Sequence, residues 1–113
     1  MLKIAAVLFA ISAVGGLTLA TLHFKNKNRP FGLAILHGLL GAGGIISLIM
    51  AAMSLGFAGL LAISLVIFVV AALGGFLLFS YHLRKQPLPS AMVIIHGLAA
   101  VSAFLILLVV IFR

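Results

Sequence analysis

Four long apolar stretches separated by three polar breaks of unequal strength organise the chain. They run from Ile4 to Phe24, Phe31 to Ser54, Phe57 to His82 and Ser90 to Phe112. Each is long enough to cross a bilayer core of roughly 30 Å as a helix, for which about 20 residues suffice. The first break, Lys25-Asn26-Lys27-Asn28-Arg29-Pro30, places Pro30 where the first position of the next helix is predicted. The third, Arg84-Lys85-Gln86-Pro87-Leu88-Pro89, is its counterpart. The second is only Met53-Ser54-Leu55-Gly56, and a tight turn is predicted there because the combined apolar run is too long for one crossing. No alternating polar and apolar pattern supports a barrel, and backbone hydrogen bonding in lipid leaves helices as the remaining solution. The short connections make neighbours antiparallel. The predicted fold is therefore an all-α, up-down-up-down four-helix membrane bundle, forming a single transmembrane domain over residues 1–113.

A repeat is written across these spans. Gly15-Gly16, His23, Pro30 and His37-Gly38 recur as Gly74-Gly75, His82, Pro89 and His96-Gly97, 59 residues later and without an insertion. Apolar low-complexity sequence produces chance leucine matches easily, but not histidines, prolines and glycines in register. The repeat units are about 1–54 and 57–113. Both cross in the same sense, so they are parallel repeats related by a pseudo-twofold axis along the membrane normal.

Composition narrows the chemistry. Of 113 residues, 66% are hydrophobic and 6% charged, against about a quarter charged in soluble domains. The chain reads as an integral membrane protein. It has no Cys, Asp or Glu, which excludes disulfides, thiolate metal sites and the carboxylate acids, bases and proton relays of many enzymes and pumps. The net charge of +7 comes from loop and terminal residues, so it is read as topology and lipid-headgroup contact, with no nucleic-acid partner. Lys25, Lys27, Arg29, Arg84 and Lys85 lie on one face, against Lys3 and Arg113 on the other. The positive-inside rule predicts cytoplasmic basic loops and both termini outside, with a bacterial inner membrane as the setting. The Met-Leu-Lys start resembles a signal peptide, but cleavage would destroy the first half of the repeat, so the first span is expected to be retained.

All four histidines belong to the repeat, and an ionisable residue inside a membrane span points to function by default. His23 and His82 end the first and third spans. His37 and His96 lie about 10 Å beyond the prolines in the second and fourth, at 1.5 Å per residue. All four gather in one half of the membrane. Small residues share their helix faces: Gly41 and Gly44 beyond His37, Ala100 and Ala103 beyond His96, and Gly16 and Gly75 two turns deeper than His23 and His82. This stripe is expected to clear space for a flat macrocycle.

The histidine-bearing helices resemble those of small membrane b-type cytochromes, natural or designed, that hold haem by paired histidines. The resemblance spans the helical core and departs in placing all ligands near one face. It implies one or two b-type haems with iron on His37 and His96, on His23 and His82, or on the cross pairs His23 with His96 and His37 with His82. Bis-imidazole iron suits electron transfer, here with a quinone or a partner redox protein, in a protein more likened to a carrier than to an enzyme. Arg29, Arg84, Lys85, Lys25 and Lys27 are the expected partners of the haem propionates. Tyr81 and Arg84 are positioned for quinone contact or simple interfacial anchoring. Other readings stay open: a zinc or copper site on four imidazoles, with Met50, Met53 and Met92 as thioethers; a cofactor-free assembly subunit; His23 and His82 as helix-end caps; the glycines as close-packing residues. A homo-oligomer is left open as well.

Overall fold

The computed structural model describes residues 1–113 and contains four helices: α1 (Leu2–Phe24), α2 (Phe31–Leu55), α3 (Gly59–Leu83) and α4 (Ser90–Phe112). All four are long and apolar enough to cross a membrane. Large apolar side chains cover the outside, among them Val14 at 69%, Leu17 at 71% and Phe76 at 69% exposure. A surface of that kind belongs in lipid, and the chain is an integral membrane protein.

The boundaries match the hydropathy pattern to within two residues, with two differences. Pro30 and Pro89 stand one residue earlier than expected, as extended N-caps before α2 and α4. The proline ring fixes φ and makes both sites natural entry points. The weak second break closes over Gly56–Ala58, and α3 begins at Gly59. Gly56 (φ 98°) and Gly59 (φ 59°) take positive φ values there, a region glycine reaches without steric cost.

The repeat extends to loop detail. After α1, the Asn26 N–H donates to His23 O and the Lys27 N–H to Leu22 O; after α3, Lys85 donates to His82 O and Gln86 to Tyr81 O. Asn26 (φ 55°) and Lys85 (φ 54°) are left-handed, so both helices end in the same Schellman cap.

Each helix packs against its two sequence-cyclic neighbours: α1 on α2 and α4, and α3 on α4 and α2. This is the expected up-down-up-down bundle, 42 Å long and 23 × 21 Å across. The repeat partners Phe9 and Phe68 stack across the diagonal, with centroids 3.7 Å apart and planes within 4°. Equivalent residues that touch must straddle the pseudo-twofold axis. Leu48 and Leu107, also repeat partners, are both fully buried beside them. In lipid, helix association depends on such close packing, since lipid tails are as apolar as leucine.

The packing is uneven along the axis. Apart from Val93, every buried residue lies in the half with the termini and the Gly56–Ala58 turn, or at the level of Ser12, Gly44 and Ala71 near the middle. The half towards the basic loops is loosely closed. One polar bond crosses the tight half, from Ser64 Oγ to Ala103 O at 2.8 Å. The repeat partner of Ser64 is Ala5, also fully buried, so alanine already fits this niche. Ser64→Ala should therefore cost only about 0.5–1 kcal/mol, read from dodecyl sulfate unfolding in micelles.

Candidate cofactor site

His37 and His96 meet inside the loosely packed half. Their ring centroids are 6.2 Å apart and their planes 87° apart. They are repeat partners on the diagonal helices α2 and α4, so this contact also straddles the axis. Of the four imidazoles these two are brought into ring contact, and no group of three or more ligating side chains converges.

Each imidazole is fixed by the helix before it. His37 Nδ1 lies 2.7 Å from Ser12 O, and His96 Nδ1 lies 2.7 Å from Ala71 O. A carbonyl can only accept, so both Nδ1 atoms carry a proton, and in the neutral imidazole the lone pair is then on Nε2. Ser12, whose repeat partner is Ala71, adds to the first anchor: its Oγ donates to His37 O at 2.9 Å and lies 3.0 Å from His37 Nδ1.

Gly16 and Gly75 make room for these rings. A Cβ on Gly16 would lie 2.7 Å from His37 Cε1, and one on Gly75 would lie 3.1 Å from His96 Cε1. Two of the glycines expected to leave space beneath the histidines thus seat the imidazoles of the neighbouring helix. Gly44 is covered by the Phe9 ring, 2.6 Å from where a Cβ would stand, and Gly41 faces Ser12 Oγ at 3.6 Å. Their repeat partners differ in burial: Ala103 is fully buried and Ala100 half-buried. The small-residue stripe is taken up by side chains, and the loose packing lies nearer the basic loops.

The shallow histidines do separate work, both in the last turn of their helices. His23 Nε2 pairs with Ser90 Oγ at 3.0 Å, fastening the end of α1 to the start of α4. His82 packs edge-on against Phe31 at 5.6 Å, linking the end of α3 to the start of α2. Ser90 and Phe31 are repeat partners, so the two contacts are one device with different chemistry. The structure does not bring either shallow histidine into ring contact with a deep one.

Among the basic residues, Arg84 donates from Nε to Ser80 O at 3.2 Å and lies over the Tyr81 ring at 4.6 Å. Lys25, Lys27 and Lys85 are exposed, while Arg29 is half-buried. Met50 and Met53 lie at the far turn. Met92 shares with His96 a lipid-facing apolar groove of about 300 Å³ between α3 and α4.

Sequence reasoning missed the Phe9–Phe68 pair and the Ser12 and Ala71 anchors. The signal was present: the offset of 59 residues continues upstream of Gly15. No protein-family model, curated protein or solved structure matches the chain.

Proposed function

We propose that the chain is a membrane b-type cytochrome in which His37 and His96 supply both axial ligands of one haem, shared between the two repeats. The observation that carries this reading is the geometry of the deep pair. Two imidazoles on one metal ion place their ring centres about 6 Å apart, from metal–nitrogen bonds of about 2 Å and about 1 Å more to each centre. The pair on the axis stands at 6.2 Å. The donor chemistry also fits: both Nδ1 protons are held by main-chain carbonyls, an anchoring of the kind that orients metal-bound imidazoles. Few side chains are buried in the half around the pair, so a bulky group would part loosely packed helices and not a tight core.

Bound there, haem would supply one-electron redox chemistry. The protein's own part is to hold two neutral imidazoles at fixed orientation, with the Ser12 and Ala71 carbonyls behind them, and to surround the site with apolar helix faces that keep water away. A quinone or a redox protein is the partner suited to a site in one half of the membrane. By the positive-inside rule that half is cytoplasmic and the termini lie outside, in a bacterial inner membrane.

A second reading has its own support: Gly16 and Gly75 already seat the imidazoles, as expected if the histidines only fasten helices in a cofactor-free subunit. Visible absorption of detergent-purified protein, before and after dithionite, separates the two. The cytochrome reading expects a low-spin spectrum at one haem per chain, abolished in the His37→Ala, His96→Ala double variant and kept in His23→Ala, His82→Ala. A colourless protein that takes up no added hemin sinks it.

A further inference from the structure

Arg29 holds the only buried side-chain nitrogen or oxygen in the protein that lacks a hydrogen-bond partner, its Nε. A guanidinium offers Nε and a terminal nitrogen as a planar fork matched to two oxygens of one anion. In Arg29 the inner arm of that fork donates to nothing. Arg84 shows the contrast, with Nε and Nη2 both bonded to Ser80.

Arg29 shares its loop with Lys25 and Lys27. It directly precedes the Pro30 cap of α2. Phe31, two residues on, packs against the His82 ring at 5.6 Å. The sequence contains no Asp or Glu that could balance this corner. A half-buried guanidinium whose occluded Nε has no partner calls for an anion from outside the chain. The corner lies where the spans end, at the level of lipid headgroups, whose charged group is phosphate. The equivalent corner of the other repeat has Leu88 in place of Arg29, and its histidine is already bonded to Ser90. The feature is therefore single.

We propose that the corner between the end of α3 and the start of α2 binds one phosphate group, that of an anionic membrane lipid, through the Arg29 fork, next to the packed Phe31 and His82 rings. This site is separate from the His37–His96 pair and does not rest on haem binding there.

Native mass spectrometry of the full chain in detergent, titrated with phosphatidylglycerol, tests it. The first lipid should bind about tenfold more weakly to Arg29→Gln, and about threefold or more weakly to Arg29→Lys, which keeps the charge but loses the fork. Lys85→Gln, an exposed charge on the same face, should stay within about twofold of the parent protein. Diacylglycerol, which lacks phosphate, should not compete. Inorganic phosphate distinguishes the source: displacement of the lipid by millimolar phosphate assigns the site to the free anion, and retention assigns it to the headgroup. Equal losses in Arg29→Gln and Lys85→Gln overturn the proposal, as does full affinity in Arg29→Lys. Circular dichroism confirms that each variant is folded, and Arg29→Lys decides the matter if Arg29→Gln is not.

Discussion

Phe9→Ala should lower the stability of the micelle-embedded bundle by about 3 kcal/mol, the largest loss expected from truncating one side chain. In a soluble core most of the cost of such a change is transfer of apolar surface to water, which is weak here because lipid is itself apolar. The cavity term survives. A void of roughly 100 Å³ at about 24 cal/mol per Å³ amounts to about 2.4 kcal/mol. Loss of the stacked partner adds about 0.5–1.5 kcal/mol. Phe9 has neighbours on two sides, since its ring lies on Phe68 at 3.7 Å and fills the notch above Gly44. Phe76, 69% exposed to lipid, is the control, and Phe76→Ala should change stability by no more than about 0.5 kcal/mol. Dodecyl sulfate unfolding followed by circular dichroism measures both. Similar losses in the two variants would remove the diagonal stack from its place as the main fastening of α1 to α3.

The second large effect is a difference between equivalent residues. Gly16→Ala should destabilise by about 3 kcal/mol, whereas Gly75→Ala should be close to neutral. Alanine gains about 1 kcal/mol over glycine in a helix at either position. At Gly16 the new methyl would stand 2.7 Å from His37 Cε1, with Nδ1 at 3.2 Å and Nε2 at 3.4 Å. The ring must move as a body, which strains its bond to Ser12 O. Overpacking of about 1–3 kcal/mol joins a further cost of about 1–3 kcal/mol for a poorly satisfied Nδ1–H. At Gly75 the closest approach is 3.1 Å, to His96 Cε1, and the two ring nitrogens stand at 3.7 and 3.8 Å, so a shift of a few tenths of an ångström relieves it. Unfolding measurements give the two costs. The cytochrome reading adds a spectral consequence, because Gly16→Ala then lowers haem occupancy while Gly75→Ala retains it. Equal stabilities would mean that the imidazole does not sit in the Gly16 notch.

The fold was legible because water-free surroundings leave the chain few choices. Lys25 to Pro30 and Arg84 to Pro89 marked two turns through charge and proline, and Gly56 was enough to mark the third once span length was counted. The histidines were legible as a set, but their grouping was not. Helix-face arithmetic placed Gly16 beneath His23 on the same helix, whereas the notch it makes receives His37 from the next one. Spacing within a helix fixes which residues share a face; it does not fix which side chain from a neighbour fills the gap. The same limit hid Ser12, whose main-chain carbonyl, and not its hydroxyl alone, anchors His37. Phe9 and Phe68 look like any other membrane phenylalanines until the offset of 59 is carried past the glycine pair.

Contacts on the pseudo-twofold axis constrain sequence change differently from those elsewhere. Away from the axis a residue meets a stranger, and the two halves differ: Ser12 is matched by Ala71 and Arg29 by Leu88. At the axis a residue meets its own copy, as Phe9 meets Phe68 and His37 meets His96. A replacement in one copy is at once confronted by the unreplaced other, across a few ångströms. The two halves are thus free to specialise at their rims while remaining locked to each other along a single line through the membrane.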